Sequence, residues 1–477
     1  MNARLGELLR DAGLPAATGP SAVAATGPQA DPEVSSVTYD SRAVTPGAVF
    51  CCLRGGTVDG HAFGAAAVGA GAVALVVEEA LPVTVPQVVV PNARDAMGRL
   101  AAAFFGHPAR SLKMVGVTGT NGKTTTTMLL AAVLEHAGWP TGVIGTLTGK
   151  HTTPESPELQ ALLHGFVADG RTAAVMEVSS HALALDRVAG CHFDVAVFTN
   201  LGRDHLDLHG TVERYFAAKA LLFRPELTDL GLANEDDVHG RLLVDTAPVP
   251  MRGFGAADLT DLVVTPTRHA YTWRGHRVEV ALGGAFNAMN SLAAACAASA
   301  LGIADEVVAA GLATARPVPG RFEPVEAGQP FAVIVDYAHT PDGLREALGA
   351  ARAVAAGRKV ITVFGCGGDR DRDKRPEMGR AAAELADRVV VTSDNPRSED
   401  PAAIINAVLE GVPSDYRHVV VTEPDRRQAF TLAFGTAAEG DVVVIAGKGH
   451  ETTQTIGGRV LPFDDRAVAR ELLEALT

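Results

Sequence analysis

Residues 118–125 read TGTNGKTT, and this stretch separates an apolar run from an Ala/Leu-rich stretch. The pattern on either side predicts a strand over Lys113–Val117 and a helix over Lys123–His136. A glycine-rich turn between a strand and a helix can bind phosphate through backbone N–H groups at the helix N-terminus. In such a loop the lysine, here Lys123, contacts the β- and γ-phosphates, and the next residue, here Thr124, ligates Mg²⁺.

The loop departs from the strict pattern GxxxxGK[ST], because Val117 occupies the place of its first glycine. A glycine-rich turn that binds no ligand is therefore the alternative interpretation. Turn geometry accounts for the glycines, but it does not account for the Lys-Thr-Thr sequence directly behind Gly122. These three residues favour phosphate binding over a plain turn.

Apolar β-branched runs alternate with helical stretches along most of the chain, which is typical of α/β domains with parallel sheets. The chain has 477 residues, and at about 150 residues per domain this length suggests three domains. Breaks rich in glycine and proline occur near Gly106 and Pro317. We therefore predict an α/β fold with domains over residues 1–107, 108–316 and 317–477.

The candidate strands share short, apolar and mostly β-branched sequences. In chain order they are Ser35–Tyr39, Ala48–Leu53, Ala72–Val77, Lys113–Val117, Ala173–Val178, Val195–Phe198, Ala332–Val335, Val360–Phe364, Val389–Val391 and Val442–Ala446. A β-like segment over His269–Ala281 interrupts the second domain, and helices are predicted over Ala93–Phe105 and from Asn290 onward.

The overall composition limits the partners that this protein can have. Lys and Arg number 41 against 55 Asp and Glu, and the net charge of −14 argues against a broad surface for nucleic acid or anionic membranes. Five cysteines without CxxC spacing fit reduced cytoplasmic thiols better than disulfides or a zinc site. The longest apolar stretch, Ser291–Ala304, is shorter than the ~20 residues of a membrane helix, and Met1–Arg10 lacks the apolar run of a secretory signal. We expect a cytoplasmic protein without membrane insertion or nucleic-acid partners.

Two predicted strand ends carry side chains that suit a metal ion near the phosphate loop. Glu177 lies at the end of one strand, where an open parallel sheet presents ligand groups, and His205 and Asp207 follow the next strand. The alternatives are an acid at a helix start for Glu177 and a solvated loop acid for Asp207. The preceding phosphate loop favours the metal interpretation for Glu177. Lys219 lies on a predicted helix, where composition alone indicates a surface residue.

Several longer motifs occur along the chain. They are YDSR at 39–42, GTNGKTT at 119–125, TTPE at 152–155, MEVSSHALALDRV at 176–188, NLGRDHLDLHGTVERYFAAKALLF at 200–223, GRFE at 320–323, VDYAHTPD at 335–342, GGDR at 367–370, SDNPR at 393–397 and GKGHE at 447–451. In this combination the chain resembles the Mur ligases, the ATP-dependent amide-forming enzymes of peptidoglycan precursor synthesis. The resemblance extends from about residue 35 to 466 and is strongest to the members that add the third residue of the peptide.

The resemblance implies a shared fold and a shared reaction. The fold would have a UDP-substrate-binding N-terminal domain, a central P-loop ATPase-like domain that binds ATP, and a Rossmann-like C-terminal domain that binds the amino acid. ATP would phosphorylate the D-Glu carboxylate of UDP-MurNAc-L-Ala-D-Glu, and the amino group of the incoming amino acid would attack the acyl phosphate. Phosphorylation supplies a leaving group, and Mg²⁺ neutralises the phosphate charge. A monomer is expected.

The resemblance also assigns roles to individual residues. The ATP set is Gly119, Thr120, Asn121, Gly122, Lys123, Thr124, Thr125, Asn287, Asn290, Arg321, Asp336 and His339. The catalytic set is Lys123, Glu177, His205 and Lys219. The Mg²⁺ set is Thr124, Glu177, His205 and Lys219, and in the family the matching lysine is carbamylated by CO₂, which makes it a carboxylate-like ligand. The set for the UDP-MurNAc-dipeptide is Ser41, Thr152, Thr153, Ser179 and Arg187.

The SDNPR sequence at 393–397 bears on which amino acid is added. By itself it is equally well an Asx–Pro turn with an exposed arginine. The resemblance favours meso-diaminopimelate, because DNPR occurs in the ligases that add it. Arg397 also suits bidentate recognition of the second carboxylate, which lysine lacks. The implied amino-acid pocket is Arg370, Asp394, Asn395, Pro396, Arg397, Gly447 and Glu451.

Three alternatives stay open at this point. The first is the same ligase adding L-lysine, and the second is a ligase like folylpolyglutamate synthetase. The third is a non-catalytic regulator that binds nucleotide with the same fold. The N-terminal block and the DNPR and GKGHE motifs argue against the second, and the intact set of predicted metal ligands argues against the third.

Overall fold

A computed structural model of the protein describes residues 2–18, 31–56, 58–204 and 206–476, and within them the chain forms an α/β fold built on three larger sheets. Helices alternate with short strands along the chain, as parallel pairing requires. Because helices cover a parallel sheet on both faces, its strands are buried throughout, as in Ala74–Val77 and Val442–Ala446.

The N-terminal segment forms a four-stranded parallel sheet. In sheet order its strands are Ser36–Thr38, Ala48–Cys51, Ala74–Val77 and Gln87–Val89. Its helices are Leu5–Asp11, Gly64–Gly69 and Ala93–Phe104, and Ala3–Arg4 pairs with Glu33–Val34 in a small antiparallel sheet. The Asn92 side chain accepts hydrogen bonds from the N–H groups of Arg94 and Asp95, and this cap explains why the third helix begins where the sequence predicts.

The central segment forms a six-stranded parallel sheet with the phosphate-loop strand in its interior. In sheet order its strands are Met251–Phe254, Thr228–Asn234, Phe193–Phe198, Lys113–Thr118, Ala173–Glu177 and Thr141–Ile144. Its helices are Lys123–His136, Ser156–Ala168, Ser180–Ala184, Leu206–His209, Val212–Ala220, Val238–Thr246, Ala285–Ala300 and Asp305–Ala313. Because adjacent parallel strands end at one edge, the loops after Thr118, Glu177 and Phe198 lie side by side.

A three-stranded antiparallel sheet accounts for the β-like segment of the central part. Its strands are Thr260–Val264, His269–Trp273 and His276–Val280. Nε2 of His269 lies 2.9 Å, and the hydroxyl of Tyr271 3.0 Å, from Oγ of Ser291 on the Ala285–Ala300 helix. Nδ1 of His269 donates to the carbonyl oxygen of Leu282 at 2.6 Å. These buried hydrogen bonds attach the small sheet to the helix.

The C-terminal segment forms a six-stranded sheet that is parallel except at one edge. In sheet order its strands are Glu323–Pro324, which is antiparallel, Ala332–Asp336, Val442–Ala446, Val360–Phe364, Arg388–Val391 and Val420–Thr422. Its helices are Pro341–Val354, Lys374–Leu385, Pro401–Leu409, Arg426–Phe434 and Asp465–Glu474. A hairpin of Thr453–Ile456 and Arg459–Pro462 follows the last parallel strand.

Close contacts join the segments. Gly98 of the N-terminal segment packs so tightly on the central segment that a Cβ there would lie 2.6 Å from Cβ of Ala189. Across the other boundary, the side-chain amide of Asn121 donates to Glu346 at 3.1 Å. The phosphate loop therefore contacts the C-terminal segment directly.

The predicted α/β class is confirmed, and every predicted strand is found with ends that differ by at most two residues. The helix predicted from Asn290 begins earlier, at Ala285, because Gly284 with φ 88° ends the preceding loop there. Within the described residues, no helix is long and apolar enough to cross a membrane. The domain boundaries after residues 107 and 316 lie outside helices and strands and stay a prediction.

We predict that His269 makes the stability of the fold depend on pH. Burial lowers the pKa of its imidazole from 6.5 to about 4. Between these two pH values the unfolded chain binds a proton that the folded chain does not. Above pH 6.5 this imidazole therefore does not lower the free energy of unfolding, and the loss of stability grows as the pH falls toward 4. The free energy of unfolding should fall by ~1–2 kcal/mol more between pH 7 and pH 5 in the wild type than in His269→Gln. Urea denaturation at both pH values measures this difference, and equal falls would contradict it.

Candidate active site

The phosphate loop bends sharply at two glycines. Gly119 has a φ of 151° and Gly122 a φ of 85°, and neither position has room for a side chain. A Cβ on Gly119 would clash with the hydroxyl of Thr199, and a Cβ on Gly122 would clash with the side chain of Asn290. The helix begins at Lys123, so its first N–H groups, which lack acceptors within the helix, lie at the cleft.

The side chains of two lysines converge on one carbonyl oxygen of this loop. Nζ of Lys123 donates to the carbonyl oxygens of Gly119 at 2.7 Å and Thr120 at 2.8 Å. Nζ of Lys219 donates to the same Gly119 oxygen at 2.7 Å, although only 1% of Lys219 is exposed. Burial, assisted by the neighbouring Lys123 charge, holds the pKa of Lys219 well below its usual range. Composition places this lysine on the surface, and the structure instead buries it beside the phosphate loop.

Glu177 and Thr124 lie in contact, as the metal hypothesis requires. The Thr124 hydroxyl donates to Oε2 of the buried Glu177 carboxylate at 3.0 Å. Thr146 donates its N–H to Oε1 at 2.8 Å and its hydroxyl to Oε2 at 3.2 Å. Arg321 of the C-terminal segment donates to the Thr124 oxygen at 3.2 Å. A carboxylate beside the hydroxyl of a phosphate loop is a donor set that fits Mg²⁺.

Within the described residues, the side chains near Glu177 do not form a protein-only metal cage. Among the residues that the structure describes, no group of three His, Cys, Asp or Glu side chains is arranged to hold a metal. His205 lies outside the described residues. A site for Mg²⁺ uses one or two carboxylates and is completed by water and substrate phosphates, so the pair of Thr124 and Glu177 is compatible with it.

A cavity of about 260 Å³ opens from the phosphate loop toward the C-terminal segment. From the predicted ATP and catalytic sets it is lined by Thr120, Asn121, Gly122, Lys123, Thr124, Thr125, Glu177, Lys219, Asn290, Arg321, Asp336 and His339. A second cavity of about 250 Å³ shares Asn121, Gly122, Asn290 and Glu346 with the first. Residues from the central and C-terminal segments thus meet at one continuous cleft.

The two predicted asparagines of the Ala285–Ala300 helix have different positions. Asn290 lines both cavities, whereas Asn287 is fully buried and lines neither of them. The Asn290 side chain donates to Oδ1 of Asn287 at 3.0 Å, and Asn287 donates to the carbonyl oxygen of Gly283 at 2.8 Å. Asn287 therefore orients Asn290 against the loop.

The predicted ATP residues of the C-terminal segment form the opposite wall. The buried Asp336 accepts hydrogen bonds from the N–H groups of Phe322 and Ala338, both at 2.7 Å. Burial raises the pKa of Asp336, and Arg321 and these hydrogen bonds oppose the rise. Burial lowers the pKa of His339 to about 4, so its imidazole is neutral near pH 7.

The predicted dipeptide residues cluster on one side of Glu177. Thr153 donates to the Glu177 carbonyl oxygen at 2.8 Å and accepts from the N–H of Ser179 at 3.1 Å. Thr152 and Ser179 line the cavity. Arg187 donates to the Thr153 carbonyl oxygen at 3.1 Å.

The N-terminal segment approaches this cluster through Glu155. The Glu155 carboxylate pairs with Arg187 at 2.9 Å and with Arg94 of the N-terminal segment at 3.4 Å. Ser41 lies outside the cavity, at the start of a short 3₁₀ turn. Tyr39, two residues before Ser41, lies near Glu158 of the central segment, and burial and the Glu158 charge raise the pKa of Tyr39 to about 12.

The predicted amino-acid residues form a separate cluster with acidic groups at one end. The side-chain amide of Asn395 donates to Glu451 at 2.7 Å, and Nζ of the buried Lys448 lies 3.2 Å from the same carboxylate. Lys448 also lies 4.0 Å from Asp394. Gly447, with φ 114°, donates its N–H to the carbonyl oxygen of Asp336.

The predicted arginines lie at the other end of this cluster. Arg397 has a φ of 53° and its guanidinium donates to the carbonyl oxygen of Gly368 at 2.6 Å. Gly368 packs against Pro396, leaving no room for a Cβ. The exposed Arg370 belongs to the same glycine loop. The backbone of Arg397 pairs with the hairpin strand at Ile456, which fixes the loop that carries it.

Several residues of the cleft were not singled out from the sequence. Tyr215 packs its ring 4.5 Å from Nζ of Lys219, and its hydroxyl lies 3.1 Å from Thr120. Tyr337 lies 4.5 Å from the Arg321 guanidinium. Tyr215, Tyr337 and Lys448 all lie inside the quoted motifs, so the motifs contained the signal, but no residue chemistry marked these three in particular.

Three sequence profiles of the Mur ligases match the chain. They are the Mur ligase family catalytic domain at residues 33–105, the Mur ligase middle domain at 117–298, and the Mur ligase glutamate ligase domain at 320–449. Together they cover most of the described residues and all three sheets.

Curated relatives match over nearly the whole chain. The UDP-N-acetylmuramoyl-L-alanyl-D-glutamate–2,6-diaminopimelate ligase of Geobacillus thermodenitrificans is 49% identical over 468 residues, which cover 92% of this chain and 95% of that protein. The ligase of the same name from Streptomyces avermitilis is 45% identical over 476 residues, 94% of each chain.

Solved structures match as well. A structure of a ligase with that name is 33% identical with a TM-score of 0.70, covering 100% of this chain and 99% of the other. Folylpolyglutamate synthase of Mycobacterium tuberculosis, bound to ADP, is 20% identical with a TM-score of 0.60 over 73% of this chain and 90% of the other. This second likeness concerns the fold alone.

We predict that Glu177→Gln weakens Mg²⁺-dependent nucleotide binding by about 10–100-fold, because the variant loses the carboxylate charge beside Thr124. Binding of ADP in Mg²⁺ and in EDTA, followed by calorimetry, measures the metal-dependent part. The exposed Glu135, which pairs with Arg171 at 3.2 Å, provides Glu135→Gln as the matched control. Equal affinities of Glu177→Gln and wild type in Mg²⁺ would contradict the assignment.

Proposed function

This chain belongs to the Mur ligase family, and on that premise we propose that it joins meso-2,6-diaminopimelate to UDP-MurNAc-L-Ala-D-Glu with conversion of ATP to ADP and phosphate. One observation supports this most directly: the cluster of predicted amino-acid residues has carboxylates at one end and Arg397 at the other, and the charges of Glu451 and Asp394 act on Tyr337, which lines the phosphate-loop cavity. This cluster thus has charges of both signs for a zwitterionic amino acid with an extra carboxylate.

The first step transfers the γ-phosphoryl group of ATP to the D-Glu carboxylate. The loop N–H groups and Lys123 hold the phosphates, and Arg321 adds a cation from the other wall. Thr124 and Glu177 would hold Mg²⁺, which neutralises charge on the phosphates when it is bound. Nζ of Lys123 donates to two loop carbonyl oxygens, and phosphate oxygens can replace these acceptors.

The second step forms the amide. The amino group of diaminopimelate attacks the carbonyl carbon of the acyl phosphate, the C–O bond to phosphate breaks, and the amine loses a proton. Asp394 and Glu451 would orient the ammonium group at the other end of the amino acid, and Arg397 with Arg370 its carboxylate. Docking of the C-terminal segment on the phosphate loop would exclude water, which would otherwise hydrolyse the acyl phosphate.

We propose that Lys219 is carbamylated by CO₂ and then serves with His205 as a metal ligand. Only a neutral amine attacks CO₂, and burial beside Lys123 favours the neutral form. Carbamylation would convert this buried neutral amine into a negatively charged group next to the Lys123 ammonium group. The two side chains would then attract each other.

The remaining assignments follow the same reasoning. Thr152, Thr153, Ser179 and Arg187 would hold the muramoyl dipeptide next to Glu177, and Ser41 would contact the UDP moiety from the N-terminal segment. Domains over 1–107, 108–316 and 317–477 would carry the UDP substrate, ATP and the amino acid. We further propose a cytoplasmic monomer, because ATP and UDP-linked precursors are cytoplasmic substrates.

An amino-acid panel tests the proposed function. Purified protein is incubated with ATP, Mg²⁺ and UDP-MurNAc-L-Ala-D-Glu, together with meso-diaminopimelate, L-lysine or glutamate, and products are identified by mass. We expect the diaminopimelate product with ADP release that depends on the UDP-dipeptide. A lysine product would support the L-lysine alternative, and nucleotide binding without any product would support a regulator.

We predict that Lys219→Ala abolishes turnover and that a short added carboxylate restores part of it, because the acid can supply the missing ligand oxygens. The carbamate itself is tested without turnover. Enzyme equilibrated with ¹³C-bicarbonate should show a carbamate carbon resonance in NMR, and Lys219→Ala should lack it. Near-normal activity of the variant, or an unchanged resonance, would refute the assignment.

We predict that Arg397→Ala lowers kcat/KM for meso-diaminopimelate by at least about 10–100-fold and changes the poor rate with lysine little. The reason is that only diaminopimelate has a distal carboxylate, which the variant leaves without its partner. Arg397→Lys should rescue only partly, since an ammonium group keeps the charge and loses the planar fork. An equal fall in kcat/KM with both amino acids would mean that Arg397 holds the loop in place and does not recognise the distal carboxylate.

A further inference from the structure

A fully buried ion pair lies beneath the amino-acid pocket. Arg426 is the first residue of the Arg426–Phe434 helix, and Asp465 is the first residue of the last helix. Nε of Arg426 donates to Oδ1 of Asp465 at 2.8 Å, and Nη2 donates to Oδ2 at 2.6 Å. Both side chains are 0% exposed, so the pair is bidentate and completely removed from water.

The same guanidinium also contacts the start of both pocket loops. Nη2 of Arg426 donates to the carbonyl oxygen of Ala446 at 3.0 Å, and Nη1 donates to that of Ser393 at 3.4 Å. Ala446 immediately precedes the GKGHE loop, and Ser393 immediately precedes the loop that carries Asp394. One planar side chain therefore spans two neighbouring loops and a helix N-terminus.

Stability alone does not explain a buried charge pair at this place. Replacing a buried ion pair by apolar residues of similar volume is often neutral or stabilising, because the two charges lose their hydration. An apolar pair, however, has no donors for the carbonyl oxygens of Ser393 and Ala446. What the ions supply, and apolar residues do not, is a fixed geometry between the two loops.

The loops held in this way carry the two acids of the pocket. Asp394 and Glu451 belong to different loops, yet both lie near Lys448. Burial raises the pKa of Asp394, and Arg426 is foremost among the charges that oppose the rise. The cation beneath the pocket thus also helps to keep Asp394 ionised.

We propose that Arg426 and Asp465 are positioning residues for the amino-acid substrate. The pair fixes the loops after Ser393 and Ala446 so that Asp394 and Glu451 both face the ammonium group of the bound amino acid. The inference rests on the proposed function, since the pocket must bind an amino acid. It predicts that loss of the pair weakens amino-acid binding without weakening the binding of ATP or the UDP-dipeptide, whose predicted sites lie elsewhere in the cleft.

The test compares steady-state kinetics of full-length variants with each substrate varied in turn. Arg426→Lys removes the planar guanidinium fork, and Asp465→Asn removes the carboxylate charge. The double variant Arg426→Met with Asp465→Leu replaces the ion pair by apolar side chains. All three should raise the KM for meso-diaminopimelate by about 10–100-fold and leave the other two KM values within about twofold. The double variant should keep a melting temperature near that of the wild type while its KM stays raised.

The neighbouring ion pair provides a matched control. Arg427 follows Arg426 on the same helix and pairs with Glu471 of the same last helix at 2.7 Å, but the Arg427 side chain is partly exposed and the Glu471 side chain is exposed. Arg427→Lys and Glu471→Gln should leave all three KM values unchanged. These two control variants show whether disturbing the contact between the two helices is by itself enough to change the KM for diaminopimelate.

The other possible outcomes contradict the positioning role. A folded double variant with the wild-type KM for diaminopimelate, or an equal rise of all three KM values, would overturn the positioning role. If none of the three variants folds, the pair serves the fold itself and the proposal is wrong. A wild-type protein that adds no amino acid would instead refute the proposed function, and this inference with it.

Discussion

The carbonyl oxygen of Gly119 accepts hydrogen bonds from Nζ of Lys123 and Nζ of Lys219, and the arrangement of the cleft depends on this convergence. The oxygen is reachable because the backbone bends at Gly119, where a side chain would clash with Thr199. Lys123 comes from the phosphate-loop helix and Lys219 from a helix after the next strand of the sheet. Burial and the Lys123 charge favour the neutral form of Lys219, so Lys123 is the cation of this pair, and an anionic partner such as phosphate has a strong electrostatic gain beside it. In a protein of net charge −14, the positive charge for phosphate is thus placed locally at this loop.

Strand positions could be predicted from the sequence because the core strands are apolar runs with clear ends, as in Val360–Phe364. Edge strands such as Met251–Phe254 and Val420–Thr422 were missed, and so was the interior strand Thr228–Asn234. The two edge strands are short and partly exposed, and the interior strand contains Asp229 and Gly231, so neither periodicity nor composition separates them from loops. The small antiparallel sheet was seen only as a β-like segment, because its pairing depends on contacts with a distant helix through Ser291.

The candidate site could be predicted where a motif carries its own chemistry, as Thr124 and Lys123 do. Glu177 followed from the rule that parallel strands present ligands at their carboxyl ends, and it contacts Thr124 as expected. Lys219 could not be predicted from composition, since its burial arises from tertiary packing against Tyr215 and the loop. The same holds for Arg426, which is fully buried although its neighbour Arg427, in the same local sequence context, is partly exposed.

Arg321 connects the two halves of the reaction physically. Its guanidinium donates to Thr124 at the proposed metal position and lies 4.5 Å from the ring of Tyr337. Tyr337 in turn packs 5.0 Å from His450, which is followed in the chain by Glu451 of the amino-acid pocket. A C-terminal segment held away from the phosphate loop would therefore withdraw Arg321 from the phosphates and the amino-acid pocket from the acyl group together. Water hydrolyses an acyl phosphate, so the amine must be in place as soon as the acyl phosphate forms. A single movement that brings both Arg321 and the amino-acid pocket to the phosphate loop suits phosphorylation followed directly by amide formation.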